Sequence, residues 1–250
     1  MQPYFFPYIG YFQLIHAVDK FVIYDLVSFR KASWINRNRL IERSSKKITY
    51  IKVPVHKFPN GTLIGNIEIQ EANDWRKYLL RFIYFNYKKA PFFEEVYTEV
   101  ELMLAYESSS LHEFNSKTIK HLAQWLGIKT EISSENQDYY QMEKDLSAKH
   151  CDSPERIKSE RIFQMCTMQS TTHYINPIGG MDLYDTQHFQ KNSIDLSFVK
   201  TGDVTYHQFT KEFVPHLSIL DMLFHNGREE TQRHITNYTL LWKQKIYWPR

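Results

Sequence analysis

The order of hydrophobic and polar positions along the chain predicts several short strands. Phe21 to Tyr24 form a continuous apolar run, typical of a buried strand, and Asp25 follows it directly. Residues 48–55 alternate between apolar and polar, residues 63–69 form a second run, and the turn pair Asn60-Gly61 lies between them, so we expect a β-hairpin. The remaining strands are predicted at 129–132, 171–176 and 196–199.

Helical spacing of apolar residues dominates the middle of the chain, from about residue 74 to residue 127. Asn73 or Asp74 can cap the first of these helices, and Gly127 ends the last. Residues 133–151 have no clear period and predict a loop. Further helices are predicted at 155–168 and 217–225, with another after Gly227.

Short strands that alternate with helices favour an α/β fold. We predict a single domain over residues 1–250 with a Rossmann-like (nucleotidyltransferase-like), mostly parallel sheet. To this sheet we expect an added β-hairpin and a helical insertion at about 74–127. Ser218 is the predicted N-cap of the helix at 217–225, and Asp221 three residues later gives a variant of the capping box.

Composition and charge narrow the classes of function. The net charge is only +3 without long basic runs, so nucleic-acid binding gains no support. Two thiols, Cys151 and Cys166, fit a reducing cytosol better than a disulfide framework. No apolar stretch approaches the roughly 20 residues of a membrane span, and the N-terminus lacks a signal-peptide pattern, so we expect a cytoplasmic protein. The aromatic content of 16% is typical either of wet, ring-lined clefts or of a core built with rings.

Two glycine turns at the ends of predicted strand–loop–helix passages suggest ligand-binding loops. Glycine lets backbone N–H groups approach an anion beyond the carboxyl ends of strands, although a purely structural tight turn is the alternative. Neither turn matches a P-loop or a G-x-G-x-x-G fingerprint. The candidate substrate-binding residues of these loops are Gln2, Tyr4, Tyr8 and Gly10 in the first, and Asn176, Gly179, Gly180 and Tyr184 in the second.

A basic segment between the first two predicted strands is the second kind of candidate. Its guanidinium groups have the geometry to bind a phosphate or a carboxylate, and a solvated basic face is the alternative. On a helix, Arg30 and Arg37 would share a face with Trp34 between them. The candidate binding residues are Arg30, Trp34, Asn36, Arg37 and Asn38.

Signatures of familiar catalytic classes are absent from the sequence. It has no G-x-S-x-G elbow, no H-E-x-x-H and no C-x-x-C pair, and its 11 histidines lack metal-ligand spacing, so we predict no metal site. Asp25 at a strand end and His216 before a helix are the candidate general bases, although a single histidine is more often structural.

Five segments together resemble the WbqC-like family. They are Gln2-Pro-Tyr-Phe-Phe-Pro-Tyr-Ile-Gly-Tyr-Phe-Gln-Leu-Ile15, Phe21-Val-Ile-Tyr-Asp25, Trp34-Ile-Asn-Arg-Asn38, Thr172-His-Tyr-Ile-Asn-Pro-Ile-Gly-Gly180 and Leu217-Ser-Ile-Leu-Asp221. The resemblance implies a protein of bacterial O-antigen or other surface-polysaccharide gene clusters, with a suggested glycine (aminoacyl) transferase role on an amino sugar.

The sequence departs from the family pattern in two places. Family members usually begin several residues earlier with an apolar strand, whereas here Met1 directly precedes Gln2, so we expect that strand to be lost or the start to be misassigned. Leu26 stands where the family tends to have a second acid, which argues against paired acids binding a metal. A fold-level analogy to nucleotidyltransferase-like domains lacks their histidine pair, since Tyr11-Phe12-Gln13 occupies that place.

Two functional hypotheses remain open from the sequence. The first is a transferase that places glycine or another small acyl group on a nucleotide-linked amino sugar. Its donor could be an aminoacyl-tRNA, an adenylate made from ATP or a carrier thioester. The second is a non-catalytic protein that binds a nucleotide sugar or scaffolds the same pathway. ATP or a nucleotide sugar is the candidate ligand, and a direct tRNA contact through residues 30–39 is the least supported alternative.

Overall fold

The structure is a computed structural model that describes residues 1–71, 74–150, 154–184 and 186–242. Its chain divides into two compact units. The first unit comprises Met1–Ser134 and Asp203–Asn237, and the second comprises Glu135–Gly202 and the segment from Tyr238 onward. Asn73 and Cys151, singled out in the sequence, lie outside the described residues.

Both units contain helices and strands. The helices are α1 Ile9–His16, α2 Trp75–Tyr87, α3 Phe93–Leu104, α4 Leu111–Trp125, α5 Tyr140–Lys149, α6 Pro154–Met168, α7 Thr186–Lys191 and α8 Ile219–Thr236. The strands are β1 Lys20–Val22, β2 Arg37–Glu42, β3 Lys47–Lys52, β4 Glu131–Ser133, β5 His173–Pro177, β6 Asp195–Thr201 and β7 Tyr238–Trp242.

The first unit contains two small sheets. In one, β1 pairs in parallel with β4. On the other side of β1, the Met1 amine donates to Val22 O (2.7 Å) and Tyr24 N donates to Met1 O (2.7 Å), the hydrogen-bond pattern of a parallel neighbour. The other sheet is the antiparallel pair β2–β3. The loop that begins at Gln2 therefore leaves from the carboxyl end of the β1 region.

The predicted hairpin of 48–55 with 63–69 is wrong. β3 pairs with β2, and Arg37 lies opposite Lys52. Ile64–Asn66 forms a 3₁₀ turn, and one isolated bridge, Val55 to Ile69, joins the two predicted runs. The observed hairpin turn contains no glycine, and Lys46 takes the positive φ of 58° instead. Because the turn signal expected of a hairpin is missing there, the sequence pointed to Asn60-Gly61.

The basic segment forms a strand where we considered a helix. Asn38 and Leu40 are buried while Arg37 and Arg39 are half-exposed, which is the two-residue period of β2. Arg37 and Arg39 therefore share one face, and Arg30 lies outside the strand with an exposed side chain.

Helices α2, α3 and α4 confirm helical structure between residues 74 and 127. Ser110 caps α4 by accepting a hydrogen bond from Glu113 N, and Gly127 ends it at a φ of 72°. Asp74 occupies the N-cap position of α2 without a side-chain cap. The predicted loop at 133–151 is wrong, because α5 lies there and buries Met142 and Leu146, a four-residue repeat too short to stand out.

Helix α8 begins as the sequence predicts and then bends. Ser218 Oγ accepts from Leu220 N, which confirms the N-cap. Asp221 does not complete a capping box, because its carboxylate accepts from Tyr87 Oη (2.6 Å) and Tyr206 Oη (2.9 Å). Gly227, at φ 70° and ψ −175°, is non-helical and separates two helical segments.

The second unit is built around a three-stranded sheet in the order β5-β6-β7. β6 is parallel to β5 and antiparallel to β7. Its core contains Cys166, Phe189 and Ile194, with Tyr174 and Tyr184 packed against them. Burial raises the pKa of the Cys166 thiol to about 12, so this thiol stays protonated.

The fold is mixed α/β with small parallel and antiparallel sheets. The described strands form three separate sheets, so the Rossmann-like, mostly parallel sheet is not confirmed. The single-domain organisation stays a prediction. Among the described helices, none has the length and apolar character needed to span a membrane.

Candidate functional site

The N-terminal loop, residues 2–8, is held in place by polar side chains from three other elements. Asn38 Nδ2 of β2 donates to Phe5 O (2.9 Å) and Phe6 O (2.7 Å). Ser218 Oγ donates to Phe6 O (2.8 Å), and Asn115 Nδ2 of α4 donates to Pro3 O (2.9 Å). Buried amides and hydroxyls that are spent on backbone carbonyls rigidify a loop. Asn38 is therefore occupied in holding this loop.

Two residues of the region adopt strained backbone conformations. Phe6 has a φ of 41° and His216 a φ of 57°, in the left-handed region that favours glycine. Between them the Tyr8 ring meets the His216 ring edge-on at 5.7 Å. Such strain costs about 1–3 kcal/mol per residue and clusters at binding and catalytic sites. The Tyr8–His216 contact therefore marks a candidate site.

The guanidinium groups of β2 lie over aromatic rings beside this contact. Trp34 has the Arg39 guanidinium 5.3 Å and the Arg37 guanidinium 6.0 Å from its ring centroid. Arg37 also lies 4.6 Å from the Tyr50 ring. Arg39 Nη2 donates to His216 O (3.0 Å), which joins β2 to the strained residue. Cation–π contacts of this kind pre-orient arginine for an anionic group.

Arg37 has unused hydrogen-bonding capacity. Its Nε is buried without a hydrogen-bond partner, and no carboxylate pairs with it among the described residues. A guanidinium carries five N–H donors, and a buried donor such as this Nε is costly without a partner unless a ligand uses it. Arg37 is accordingly the strongest anion-binding candidate. Arg30, by contrast, has an exposed side chain and lies outside β2.

Asp25 forms a pair with His112, which the sequence analysis missed. His112 Nε2 donates to Ser134 O (2.9 Å), and its Nδ1 lies 3.7 Å from Asp25 Oδ2. Asp25 Oδ1 and His112 Nδ1 are both buried without hydrogen-bond partners. Gly65 lies directly against the carboxylate, since a Cβ there would be 2.4 Å from Asp25 Oδ2. A carboxylate and an imidazole with open positions can take up a proton from a bound group.

The N-terminal loop connects these two groups of residues. At its start, Met1 O accepts from Tyr24 N, the residue before Asp25. At its end, Phe5 N donates to Trp34 O (2.9 Å), and Phe6 O accepts from Ser218 Oγ. Loop 2–8 therefore runs from the Asp25–His112 pair to the cluster formed by Tyr8, Trp34, Arg37, Arg39 and His216, which we call the arginine cluster.

The other candidates of the first unit make contacts within the protein, and their part in substrate binding stays a prediction. Gly10 allows the Tyr8 ring to lie against α1, because a Cβ there would be 2.4 Å from that ring. Gln2 O accepts from Tyr11 Oη (2.8 Å), and Asn36 Nδ2 donates weakly to Val53 O (3.3 Å). Burial raises the pKa of Tyr4 and of Tyr8, so both keep their protons as hydrogen-bond donors.

The second glycine turn belongs to the second unit. Tyr174 Oη donates to Asn176 Oδ1 (3.1 Å) and lies 3.5 Å from Tyr184 Oη. Gly180 accommodates Asn176, because a Cβ there would be 2.0 Å from Asn176 Nδ2, whereas Gly179 has open space around it. Asn176, Gly180 and Tyr184 thus form a local polar cluster. That this turn joins the loops of the first unit stays a prediction.

The fold is that of a mixed α/β protein, and an arginine cluster and an Asp–His pair lie along one of its loops. The chain belongs to the WbqC-like protein family, whose model matches residues 2–233. It is 30% identical over 237 residues to the uncharacterized protein Rv1507c of Mycobacterium tuberculosis (strain ATCC 25618 / H37Rv), covering 92% of this chain and 93% of that protein. No solved structure matches it significantly.

Proposed function

We propose that the protein transfers glycine or another small acyl group onto the amine of a nucleotide-linked amino sugar in bacterial surface-polysaccharide biosynthesis. The observation that carries this proposal is the Asp25–His112 pair. Its Oδ1 and Nδ1 atoms are buried and unpartnered, so they have capacity for a substrate proton. Membership of the WbqC-like family is consistent with it.

The reaction needs a base because only the neutral amine attacks an acyl carbon. The amine nitrogen forms a C–N bond to the acyl carbon while the bond from that carbon to its activating group breaks. The activating group leaves as the ribose hydroxyl of a tRNA, as AMP or as a thiol, according to the donor. The amine proton passes to the Asp25–His112 pair, and the leaving group takes up a proton.

In the proposed reaction, the arginine cluster binds the substrate. The Arg37 guanidinium fits the diphosphate of a sugar nucleotide or the carboxylate of an amino acid. Trp34 and Tyr8 present rings on which a base or sugar can stack. His216 is exposed and its ring lies on Tyr8, so we assign it a substrate contact and give the Asp25–His112 pair the role of base.

Mass spectrometry of the reaction products tests the function. The purified protein is incubated with UDP- or dTDP-linked amino sugars and, in separate arms, glycyl-tRNA, glycine with ATP, or a glycyl thioester. We expect a glycyl adduct of the sugar nucleotide in one arm. Sugar-nucleotide binding without product in every arm would contradict catalysis and support the non-catalytic alternative.

Substitution of the pair tests its role as base. Asp25→Asn and His112→Gln should each lower kcat about 10²-fold or more, the scale of general base catalysis, with a smaller change in KM. Asp138→Asn, an exposed carboxylate of the other unit, is the control and should keep the wild-type rate. Wild-type kcat in both variants of the pair would refute the assignment.

A further inference from the structure

A second groove in the first unit lies away from the arginine cluster. It has a volume of about 740 Å³ and lies between α2 and the turn that joins β2 to β3. Along β2 the groove begins at Glu42, which is about 17 Å from Arg37 and about 10 Å from Arg39. Its lining residues are Glu42, Arg43, Ser44, Lys46, Tyr78, Arg81, Phe82, Phe85 and Asn86.

The groove is a fixed feature of the fold. Asn86 is buried at its base, where Oδ1 accepts from Arg43 N (2.8 Å) and Nδ2 donates to Phe82 O (2.8 Å). Lys46 N donates to Glu42 O (2.9 Å), which closes the turn. The turn is thus fastened both to itself and to α2. Binding to a preformed groove costs little free energy for ordering the protein.

The charges around the groove are unbalanced. Arg43, Lys46 and Arg81 are cations with no carboxylate partner among the described residues. Against them stands one lining carboxylate, Glu42, which accepts from Ser45 Oγ (2.5 Å). Arg43 and Lys46 both lie over the Phe209 ring, at 5.4 and 5.5 Å, which orients their charged ends. Unpaired cations that line one groove fit a multiply charged anion such as a phosphate chain.

Aromatic rings stand exposed beside these cations. Tyr78 is 75% and Phe85 is 57% exposed, and the two are seven residues apart on the same face of α2. Exposed apolar side chains that share one face form a patch, and such patches mark contacts with a ligand or a partner. A planar base stacked on an aromatic ring gains roughly 1–3 kcal/mol.

We propose that this groove binds a free nucleoside di- or triphosphate. Its phosphates lie against Arg43, Lys46 and Arg81, and its base stacks on Phe85 or Tyr78. The volume falls within the range of about 300–1,000 Å³ that is typical of small-ligand sites. The site is separate from the arginine cluster and does not depend on the proposed transfer reaction.

Calorimetric titration with ADP, UDP and inorganic pyrophosphate tests the proposal. The protein carries Arg37→Ala throughout, so that Arg37 of the arginine cluster makes no contribution. We expect Arg81→Ala to weaken all three probes about tenfold or more, the effect of one charge-assisted hydrogen bond. Phe85→Ala should weaken ADP and UDP but leave pyrophosphate unchanged, because pyrophosphate has no base.

The matched control is Lys77→Ala. Lys77 is an exposed cation on α2 that already pairs with Asp74 (3.4 Å), so its removal should leave all three affinities unchanged. Thermal melts verify that each variant is folded. Absence of nucleotide binding in the folded Arg37→Ala protein, or binding that survives both Arg81→Ala and Phe85→Ala, would overturn the proposal. So would binding of a short single-stranded RNA that neither ADP nor UDP displaces.

Discussion

Two titratable side chains of α8, Asp221 and His225, are buried in the first unit. Asp221 is fully buried and accepts from the hydroxyls of Tyr87 and Tyr206. His225 lies one turn further along α8, its ring 4.5 Å from Phe209, and its Nε2 has no hydrogen-bond partner. Burial, with the nearby His207, lowers the pKa of His225 from 6.5 to about 4, while burial raises that of Asp221.

The lowered pKa of His225 predicts acid sensitivity. The unfolded chain protonates His225 near pH 6.5 and the folded chain only near pH 4, so its contribution to stability is present above pH 6.5 and lost as the pH falls towards 4. The full effect is at most about 3 kcal/mol. Urea unfolding at pH 7.5 and pH 5 measures it, and His225→Phe should lose less stability between the two than wild type.

Two features of this experiment separate the effect of His225 from that of other titratable groups. Asp221 acts with the opposite sign, because protonating it at low pH relieves the cost of its buried charge, and it is present in both proteins. His56→Asn, at an exposed histidine, should keep the wild-type pH dependence. Equal losses of stability in wild type and His225→Phe would show that His225 does not titrate in this way.

Helix α8 depends on its bend at Gly227. Gly227 combines a φ of 70° with close packing, since a Cβ there would be 2.5 Å from the Phe92 ring. The same place is held by Phe92 N, which donates to Phe224 O (3.2 Å). A side chain at Gly227 would therefore meet both backbone strain and a ring that is tied to the helix.

Gly227→Ala should consequently destabilise the protein strongly. We expect a loss of about 2–4 kcal/mol from positive φ and overpacking together. Gly61→Ala is the control, because Gly61 also has a positive φ of 84° but open space around it, so only the cost of φ remains. Urea unfolding measures both variants. Equal losses at the two glycines would contradict the contact with Phe92, whereas partial recovery in Gly227→Ala/Phe92→Ala would support it.

Some features of the helices and strands could be predicted from adjacent residues, whereas others depend on tertiary contacts. Ser218 as N-cap and Gly127 as helix end were predictable, because capping depends on a few adjacent residues. The hairpin was misplaced because its turn relies on Lys46 at positive φ and on Asn86 of α2, a tertiary contact. Similarly, Asp221 fits a capping box in sequence but binds Tyr87 and Tyr206 through the fold.

For the whole molecule, the candidate site is assembled from distant segments. Asp25 and Arg37 could be named from the sequence because strand ends and basic segments are local patterns. His112 could not be named, since its pairing with Asp25 arises only when α4 packs beside the end of β1. The prediction that Asn176 to Tyr184 contribute to the same site is still to be tested.

The proposed transfer requires Arg37 to bind the anionic group of the substrate. Initial rates of glycyl transfer and thermal melts are measured for Arg37→Ala and for the control Lys52→Ala. Lys52 is the exposed cation opposite Arg37 in the β2–β3 ladder. We predict that Arg37→Ala abolishes transfer while its Tm falls by about 4 °C or less, because only the cation–π contacts with Tyr50 and Trp34 are lost. Lys52→Ala should keep both the wild-type rate and the wild-type Tm. Full activity in Arg37→Ala would contradict the role of Arg37 in binding the substrate.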